Sequence, residues 1–251
     1  MFDALFTTTT EYKKLSHALS GKGACALFGL PASGRAQVYA ALCRQLDKPL
    51  CIVTPGEAEA TRFAADLNTL GIPAAVFPAR DYVLRPIEGT AREYEYRRLA
   101  VLGDLVGGRL RAVAVPAEAL TQFTTPKEDF CANTRTLHAG DTLLRDDLLA
   151  ALFGAGYTRR AQVDGPGQFS VRGDIVDIFA PDQKMPVRME FWGDEIDTLH
   201  TFDLTTQRRE DAIDKFYLSP AREVLFGKPA DAAEQLRAFL AKQRGKKKTA
   251  M

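Results

Sequence analysis

The sequence contains few cysteines, and no two of them stand at a spacing typical of metal or redox sites. Four cysteines occur among 251 residues, without a C-x-x-C pair. This scarcity argues against a zinc site or a disulfide framework. Cys25 and Cys51 lie in apolar runs that predict β-strands, so we expect both to be buried, reduced thiols that pack as small apolar side chains.

Long apolar runs and a leader segment are also missing. No apolar run approaches the length that spans a membrane. The opening MFDALFTTTTEYKK lacks a basic start followed by an apolar core. We therefore expect a cytoplasmic protein without a membrane partner. The net charge of +1 provides no overall field that would indicate nucleic acid as a partner.

Motifs of hydrolytic chemistry are absent as well. Neither G-x-S-x-G nor H-E-x-x-H occurs. The three histidines, His17, His138 and His200, are far apart in the sequence and have no nucleophile motif near them. Five carboxylates are predicted to be solvated turn charges: Asp174, Asp177, Asp194, Glu195 and Asp197. We therefore expect neither catalytic residues nor a metal site.

The first half of the chain alternates strand-like and helix-like segments. Short apolar runs predict strands, and apolar residues at helical spacing predict helices between them. The strands are expected at 24–30, 49–55, 73–79 and 111–116, and the helices at 35–46, 57–71 and 90–108. Such alternation predicts a parallel sheet with flanking helices.

From about residue 120 the pattern becomes typical of an antiparallel unit. A short helix is predicted at 145–157, followed by strands within 167–181, 185–193 and 194–203. In the run PVRMEFW, apolar residues alternate with Arg188, Glu190 and Trp192, which predicts a strand with two different faces. Gly193-Asp194 predicts a hairpin between two of these strands.

The stretch GLPASGRAQV is close to a phosphate-binding loop, whose pattern is G-x-x-x-x-G-K-[ST]. Gly29 and Gly34 have the required spacing, and Ser33 precedes the second glycine. Arg35 stands at the lysine position, and Ala36 stands where a hydroxyl would hold Mg²⁺. We favour a strand-to-helix turn that needs its glycines for steric reasons. The alternative is a weak site for sulfate, phosphate or a nucleotide.

The later motifs resemble a signature of nucleotide excision repair. FSVRGDIVDIF, RMEFWGDEID and TFDLTTQR, all within 167–209, are similar to segments shared by UvrB and the transcription-repair coupling factors. UvrB has an intact phosphate loop and a long aromatic hairpin, whereas this loop is degenerate and the stretch 80–99 is too short for that hairpin. The chain therefore resembles the amino-terminal UvrB-like module of a bacterial transcription-repair coupling factor, cut from a longer protein.

This resemblance implies a domain organisation. Residues 1–118 would form the first part of a degenerate P-loop, helicase-like α/β domain. Residues 119–208 would be an inserted, mainly antiparallel α+β domain that docks the repair ATPase UvrA. Residues 209–251 would return to the α/β domain, with a strand-like run at 211–226 and a helix at 231–243.

The resemblance also implies docking residues. In UvrB an arginine cluster forms the surface that binds UvrA. Aligning YTRRAQVDGPGQFSVRG on that cluster places its first arginine at Arg159 and its last at Arg172, while Ser170 takes the middle position. Arg160 is expected to compensate for the missing charge, and Phe169 to contribute an aromatic contact of the kind found at interface hot spots. The alternative for Arg172 is a solvated strand residue or an intramolecular pair with Asp174 or Asp177.

The implied function is recruitment of UvrA in transcription-coupled nucleotide excision repair, without a catalytic site or cofactor in this chain. The full-length family members are ATP-dependent DNA translocases that displace stalled RNA polymerase from double-stranded DNA. Their ATP and Mg²⁺ would bind in the missing motor. Two alternatives remain open. One is a nucleotide-hydrolysing UvrB-type helicase domain in which Arg35 replaces the lysine. The other is a DNA-binding module that uses basic clusters such as REYEYRR at 92–98.

Overall fold

The computed structural model describes residues 7–21, 24–46, 48–80 and 92–225, together with residue 237. The chain divides into two compact units, Met1–Phe123 and Thr124–Met251. A small parallel sheet lies in the first unit and a larger, mostly antiparallel sheet in the second, which confirms the mixed α/β class. Within the described ranges, every helix is too short or too polar to cross a bilayer.

The first unit contains five described helices and three strands. The helices are α1 (Thr10–Ser20), α2 (Ala32–Gln45), α3 (Glu57–Thr69), α4 (Glu93–Val106) and α5 (Ala117–Leu120). The strands are β1 (Leu50–Thr54), β2 (Ala74–Val76) and β3 (Ala112–Pro116). They pair in parallel in the order β1-β3-β2.

The central strand β3 is buried on both faces, as expected for a parallel sheet between helices. Ala112 and Ala114 pack into a core with residues of α2 and α3. Val113 and Val115 belong to a second core that includes residues of α4. The alternation of strands and helices read from apolar spacing is therefore confirmed for these elements.

The strand predicted at 24–30 does not form. Residues 24–28 lie outside the sheets and are exposed, with Phe28 88% exposed. Cys25 is exposed in this segment, and Cys51 is exposed on β1, so the prediction of two buried thiols was wrong. An apolar run indicates a tendency to be buried, but a strand also needs a partner for its backbone hydrogen bonds. Cys43 is the buried thiol instead, and burial raises its pKa.

The second unit contains a six-stranded sheet, a two-stranded sheet and two described helices. The helices are α6 (Lys127–Ala132) and α7 (Arg145–Gly154). The six strands are β5 (Thr158–Arg159), β6 (Gln168–Arg172), β7 (Ile175–Phe179), β8 (Val187–Trp192), β9 (Glu195–Phe202) and β10 (Arg209–Ala212). They follow one another in the sheet, and only the β5–β6 pair is parallel. β4 (Arg135–His138) pairs with β11 (Lys215–Leu218).

The hairpin predicted at Gly193-Asp194 is confirmed. Trp192 pairs with Glu195, and Met189 pairs with Leu199. The alternate residues Val187, Met189 and Phe191 are buried in the main core of the unit, which also contains Leu148 and Leu152 of α7. The β8–β9 hairpin and α7 thus share one apolar core.

The segment after residue 208 differs from the prediction that it returns to the α/β domain. β10 pairs with β9, and β11 pairs with β4. The Thr125 hydroxyl donates a hydrogen bond to the carbonyl of Glu223, so residues up to 225 pack within the second unit. Strand-forming patterns do not specify a partner strand, which explains the error. The helix predicted at 231–243 lies outside the described residues, apart from residue 237.

Two neighbouring glycines at the end of α7 should respond in opposite ways to substitution by alanine. Gly156 has a φ of 86°, and a Cβ there would lie 2.2 Å from Cγ of Arg222. Gly154 is helical with open space around its Cα. We expect Gly156→Ala to lower the free energy of unfolding by about 1–2 kcal/mol. The matched control Gly154→Ala should raise it by about 0.5–1 kcal/mol. Urea unfolding measures both free energies. Equal effects would contradict the clash inferred at Gly156.

Candidate protein-docking surface

One face of the six-stranded sheet carries charged side chains, and the opposite face packs on the main core. Alternation along the strands assigns Arg172 of β6, Asp177 of β7, and Arg188, Glu190 and Trp192 of β8 to the same face. We call these five residues the charged face. Strand pairing places Asp177 beside Arg188, since these two residues are register partners.

The Asp177 carboxylate is the centre of the charged face, and its side chain is only 1% exposed. Arg188 contacts both of its oxygens, with Nε 2.7 Å from Oδ1 and Nη2 3.0 Å from Oδ2. Arg172 adds a third contact, with Nη2 2.7 Å from Oδ2. A buried carboxylate is tolerated only when it is paired and hydrogen-bonded. The earlier prediction that Asp177 is a solvated charge was wrong.

Arg188 is held on its other sides by the end of β9 and the turn that follows it. Its Nη1 donates to the carbonyl of Gln207 at 3.1 Å, and its guanidinium carbon lies 4.7 Å from the centre of the Phe202 ring. This ring contact is a cation–π interaction. Among the described non-glycine residues, only Gln207 has a positive φ, of 60°. The turn thus directs a backbone carbonyl at Arg188.

Asp203 organises that turn. Its Oδ1 accepts hydrogen bonds from the Thr206 amide at 2.7 Å, the Thr206 hydroxyl at 2.9 Å and the Thr205 amide at 3.1 Å. These bonds, led by those from Thr206, lower the pKa of Asp203 because they stabilise the ionised form. The motif TFDLTTQR therefore has a structural explanation: it forms the turn that supports the Arg188–Asp177 pair.

Arg172 is the part of this network that reaches solvent. Its side chain is 48% exposed, whereas that of Arg188 is 10% exposed. Two guanidinium groups share one carboxylate, so the three groups together carry a net positive charge. The buried carboxylate keeps the exposed guanidinium in place. Arg172 therefore presents a fixed positive charge on the charged face.

The other predicted arginines are also exposed, but they lie on the edge strand. Arg159 ends β5, and Arg160 follows it with its amide donating to the carbonyl of Phe169 at 2.8 Å. Arg159 is the register partner of Phe169. Since Phe169 and Arg172 are three residues apart on β6, they belong to opposite faces. The register therefore does not put Arg159 and Arg172 side by side on one face of the sheet.

Phe169 and Ser170 do not lie on the surface, which corrects their predicted role as contact residues. Phe169 is fully buried in the main core, with its ring centre 5.2 Å from that of Phe153 in an edge-to-face arrangement. Ser170 is 1% exposed, and its hydroxyl lies 3.5 Å from Asp177. Neither side chain can contact a partner in this fold. Alternation assigns these adjacent residues to opposite faces of β6, but it does not show that both faces are covered here.

The degenerate phosphate loop is not confirmed as a phosphate site. Helix α2 begins at Ala32, so Ser33, Gly34, Arg35 and Ala36 all belong to the helix, and no strand precedes it in the described segment 24–31. The Arg35 amide already donates to the carbonyl of Pro31. In the Arg35 side chain, Nη1 lies 3.8 Å from Oε1 of Glu59. Ala36 is buried. Gly29, with a φ of 81°, serves the turn before the helix.

The basic cluster REYEYRR does not present all its charges to solvent. Arg98 is fully buried in α4 and donates to the carbonyl of Pro78 at 2.7 Å. Its guanidinium carbon lies 4.0 Å from the centre of the Phe77 ring. This arginine supports the fold of the first unit, which weakens the basis for a nucleic-acid surface there. Within the described ranges, no group of His, Cys, Asp or Glu side chains could hold a metal ion.

Comparison with known sequences identifies the part of the chain that carries the charged face. Residues 136–224 match the family model described as the UvrB interaction domain. The match runs from within β4 to beyond β11 and includes the whole six-stranded sheet.

The chain is also similar to longer proteins over most of its length. It is 28% identical to the transcription-repair-coupling factor of Bacillus subtilis over 84% of this chain and 18% of that protein. It is 35% identical to that of Myxococcus xanthus over 78% of this chain and 17% of that protein. It is also 28% identical to the UvrABC system protein B of Chlorobium limicola, over 80% of this chain and 32% of that protein.

These matches confirm the resemblance to the UvrB-like part of transcription-repair coupling factors. The chain spans less than a fifth of the length of the two coupling factors named here. The shared region is therefore one module of those larger proteins.

The two arginines on Asp177 should contribute very differently to stability. Arg188→Ala would leave the buried carboxylate with one partly exposed partner, and we expect a loss of about 3–5 kcal/mol in the free energy of unfolding. Arg172→Ala leaves the two-point contact with Arg188 intact, so we expect a loss of at most about 1 kcal/mol. Urea unfolding of the two variants gives both values. Similar losses would mean that Arg188 contributes no more than Arg172 to the stability of the fold around Asp177.

Proposed function

We propose that this chain recruits UvrA in transcription-coupled nucleotide excision repair and performs no catalysis itself. The UvrB interaction domain and the similarity to transcription-repair coupling factors support an interaction role of this kind. The observation that carries the proposal is the half-exposed Arg172 guanidinium, held by the buried Asp177 at 2.7 Å. Its natural complement is an acidic group on UvrA.

The rigidity of Arg172 favours binding. An arginine that is free in solution loses about 0.5–1.5 kcal/mol of side-chain entropy when an interface immobilises it. The contact with Asp177 has already restricted this side chain. Because Arg188 also compensates the carboxylate, the positive charge of Arg172 remains available to a partner. Such surface charges steer association and select the partner.

Arg159 and Arg160 form the second part of the proposed surface, at the edge of the sheet. Both side chains are exposed. Because they lie at the edge strand, they extend the positively charged surface to the side of the domain. We propose that they act through long-range attraction to UvrA, which affects the association rate and its salt dependence more than the dissociation rate.

Substitution of Arg172 tests the proposal. We expect Arg172→Ala to weaken UvrA binding about tenfold, the loss that corresponds to removing one well-placed charge contact worth ~1.4 kcal/mol. Arg109→Ala is the matched control, because Arg109 lies in the other unit and is likewise half-exposed and paired, with its Nε 2.6 Å from Asp104. Surface plasmon resonance on purified UvrA, at two salt concentrations, gives both affinities and rates.

Equal losses in the two variants would indicate general electrostatics and not a specific site. If neither variant loses affinity for UvrA although the unchanged chain binds tightly, the docking surface lies elsewhere in the domain. Arg159→Ala should reduce the association rate and leave the dissociation rate nearly unchanged.

In the longer proteins that contain this module, we propose that a separate motor supplies the remaining activity. That motor would be an ATP-dependent DNA translocase that displaces stalled RNA polymerase, with ATP and Mg²⁺ bound outside the region matched here. The UvrB-type hydrolase alternative would instead need nucleotide at the start of α2.

We expect isothermal calorimetry with ATP and Mg²⁺ to detect no binding in the micromolar range. Ala36 is buried and carries no oxygen for the metal, and the Arg35 amide is already engaged in the helix. The double variant Arg35→Lys, Ala36→Thr should not restore binding, because the segment before the helix does not form the strand of a phosphate loop. Micromolar binding that depends on Arg35 would support the hydrolase alternative.

A further inference from the structure

Trp192 is the only tryptophan of the chain, and it is 82% exposed. It ends β8, next to the hairpin turn. Four large apolar residues are exposed in the described part of the second unit, and of these only Trp192 belongs to a strand of the six-stranded sheet; the others are Leu144, Phe153 and Val224. An exposed indole on the same face as a half-exposed guanidinium is typical of interface hot spots, which are enriched in tryptophan and arginine.

The strand register puts Trp192 on the same face as Arg172. Arg172 pairs with Ile175, and Ile175 pairs with Glu190. Trp192 follows Glu190 by two residues, so its side chain projects from the same side of β8. The exposed indole and the exposed guanidinium therefore belong to one continuous surface.

The backbone beneath Trp192 is held firmly. The preceding residue, Phe191, is buried in the main core, and its amide donates to the carbonyl of Asp174 at 2.8 Å. Trp192 itself pairs with Glu195 across the hairpin. A tryptophan has only two side-chain torsions, so it offers a large contact area at a low entropic cost when the backbone is fixed.

We infer that Trp192 is the aromatic anchor of the docking surface and inserts into an apolar pocket of UvrA. This inference rests on the proposed function, and it assigns to Trp192 the aromatic contact that the sequence analysis had expected of the buried Phe169. Because Arg172 lies on the same face, we expect UvrA to have an acidic group beside that pocket. Glu195, exposed across the hairpin from Trp192, requires a basic group at its rim.

A single tryptophan allows a direct test on the unchanged chain. Incorporation of 5-fluorotryptophan gives one fluorine resonance, which reports on residue 192 alone. When unlabelled UvrA is added, we expect this resonance to shift and to lose its dependence on the H₂O/D₂O ratio, since the indole leaves solvent. We also expect Trp192→Ala to weaken UvrA binding on the order of thirtyfold, as for a hot-spot residue. Trp192→Phe should retain more of the affinity.

Phe123→Ala is the matched control, because Phe123 is an equally exposed aromatic residue, at 93%, in the other unit. It should bind UvrA like the unchanged chain. Trp192→Ala should keep its melting temperature. If it does not, the fluorine experiment and Trp192→Phe still decide the question, since neither requires removal of the aromatic ring.

Two negative results have different meanings. If UvrA binds in an Arg172-dependent way while the fluorine resonance keeps its solvent dependence, Trp192 is not the anchor and the proposed function stands. If UvrA does not bind the unchanged chain at all, the proposed function fails and this inference fails with it.

Discussion

The structure of the second unit depends on the neutralisation of one buried carboxylate. Asp177 is nearly inaccessible to water, so β7 and β8 are stable only in a register that brings Arg188 to it. The same requirement extends to the turn after β9, because Arg188 also needs the carbonyl of Gln207. One electrostatic constraint thus connects two strands and a turn, and it determines which side chains of the charged face remain open to solvent.

Much of the fold could be predicted from local periodicity. Helices α2 to α4 and the β8–β9 hairpin follow from apolar spacing and from one turn dipeptide, because these signals lie within the element itself. The segment at 24–28 shows the limit of this approach, since its apolar residues do not reveal whether a neighbouring strand is available. A single strand-like run was expected at 211–226, whereas this part of the chain forms two short strands, β10 and β11, whose partners β9 and β4 are set by tertiary contacts.

The candidate site could be predicted only in part, and for a related reason. Resemblance to the family located the arginines, and Arg159, Arg160 and Arg172 are indeed exposed. The exposure of Phe169 and Ser170 was misjudged. Alternation assigns neighbouring residues of a strand to opposite faces of the sheet, but it does not show whether both faces are covered by other parts of the chain. Asp177 was grouped with turn carboxylates, although its partner Arg188 lies eleven residues further on and faces it only after the strands pair.

The sharing of Asp177 between two arginines separates folding from recognition. Arg188 lies beneath the turn after β9 and serves the fold, whereas about half of the Arg172 side chain is open to solvent. A change at position 172 can therefore alter the charge of the surface while the domain keeps its shape. Two residues of the same chemical type, bonded to the same carboxylate, are in this way subject to independent selection.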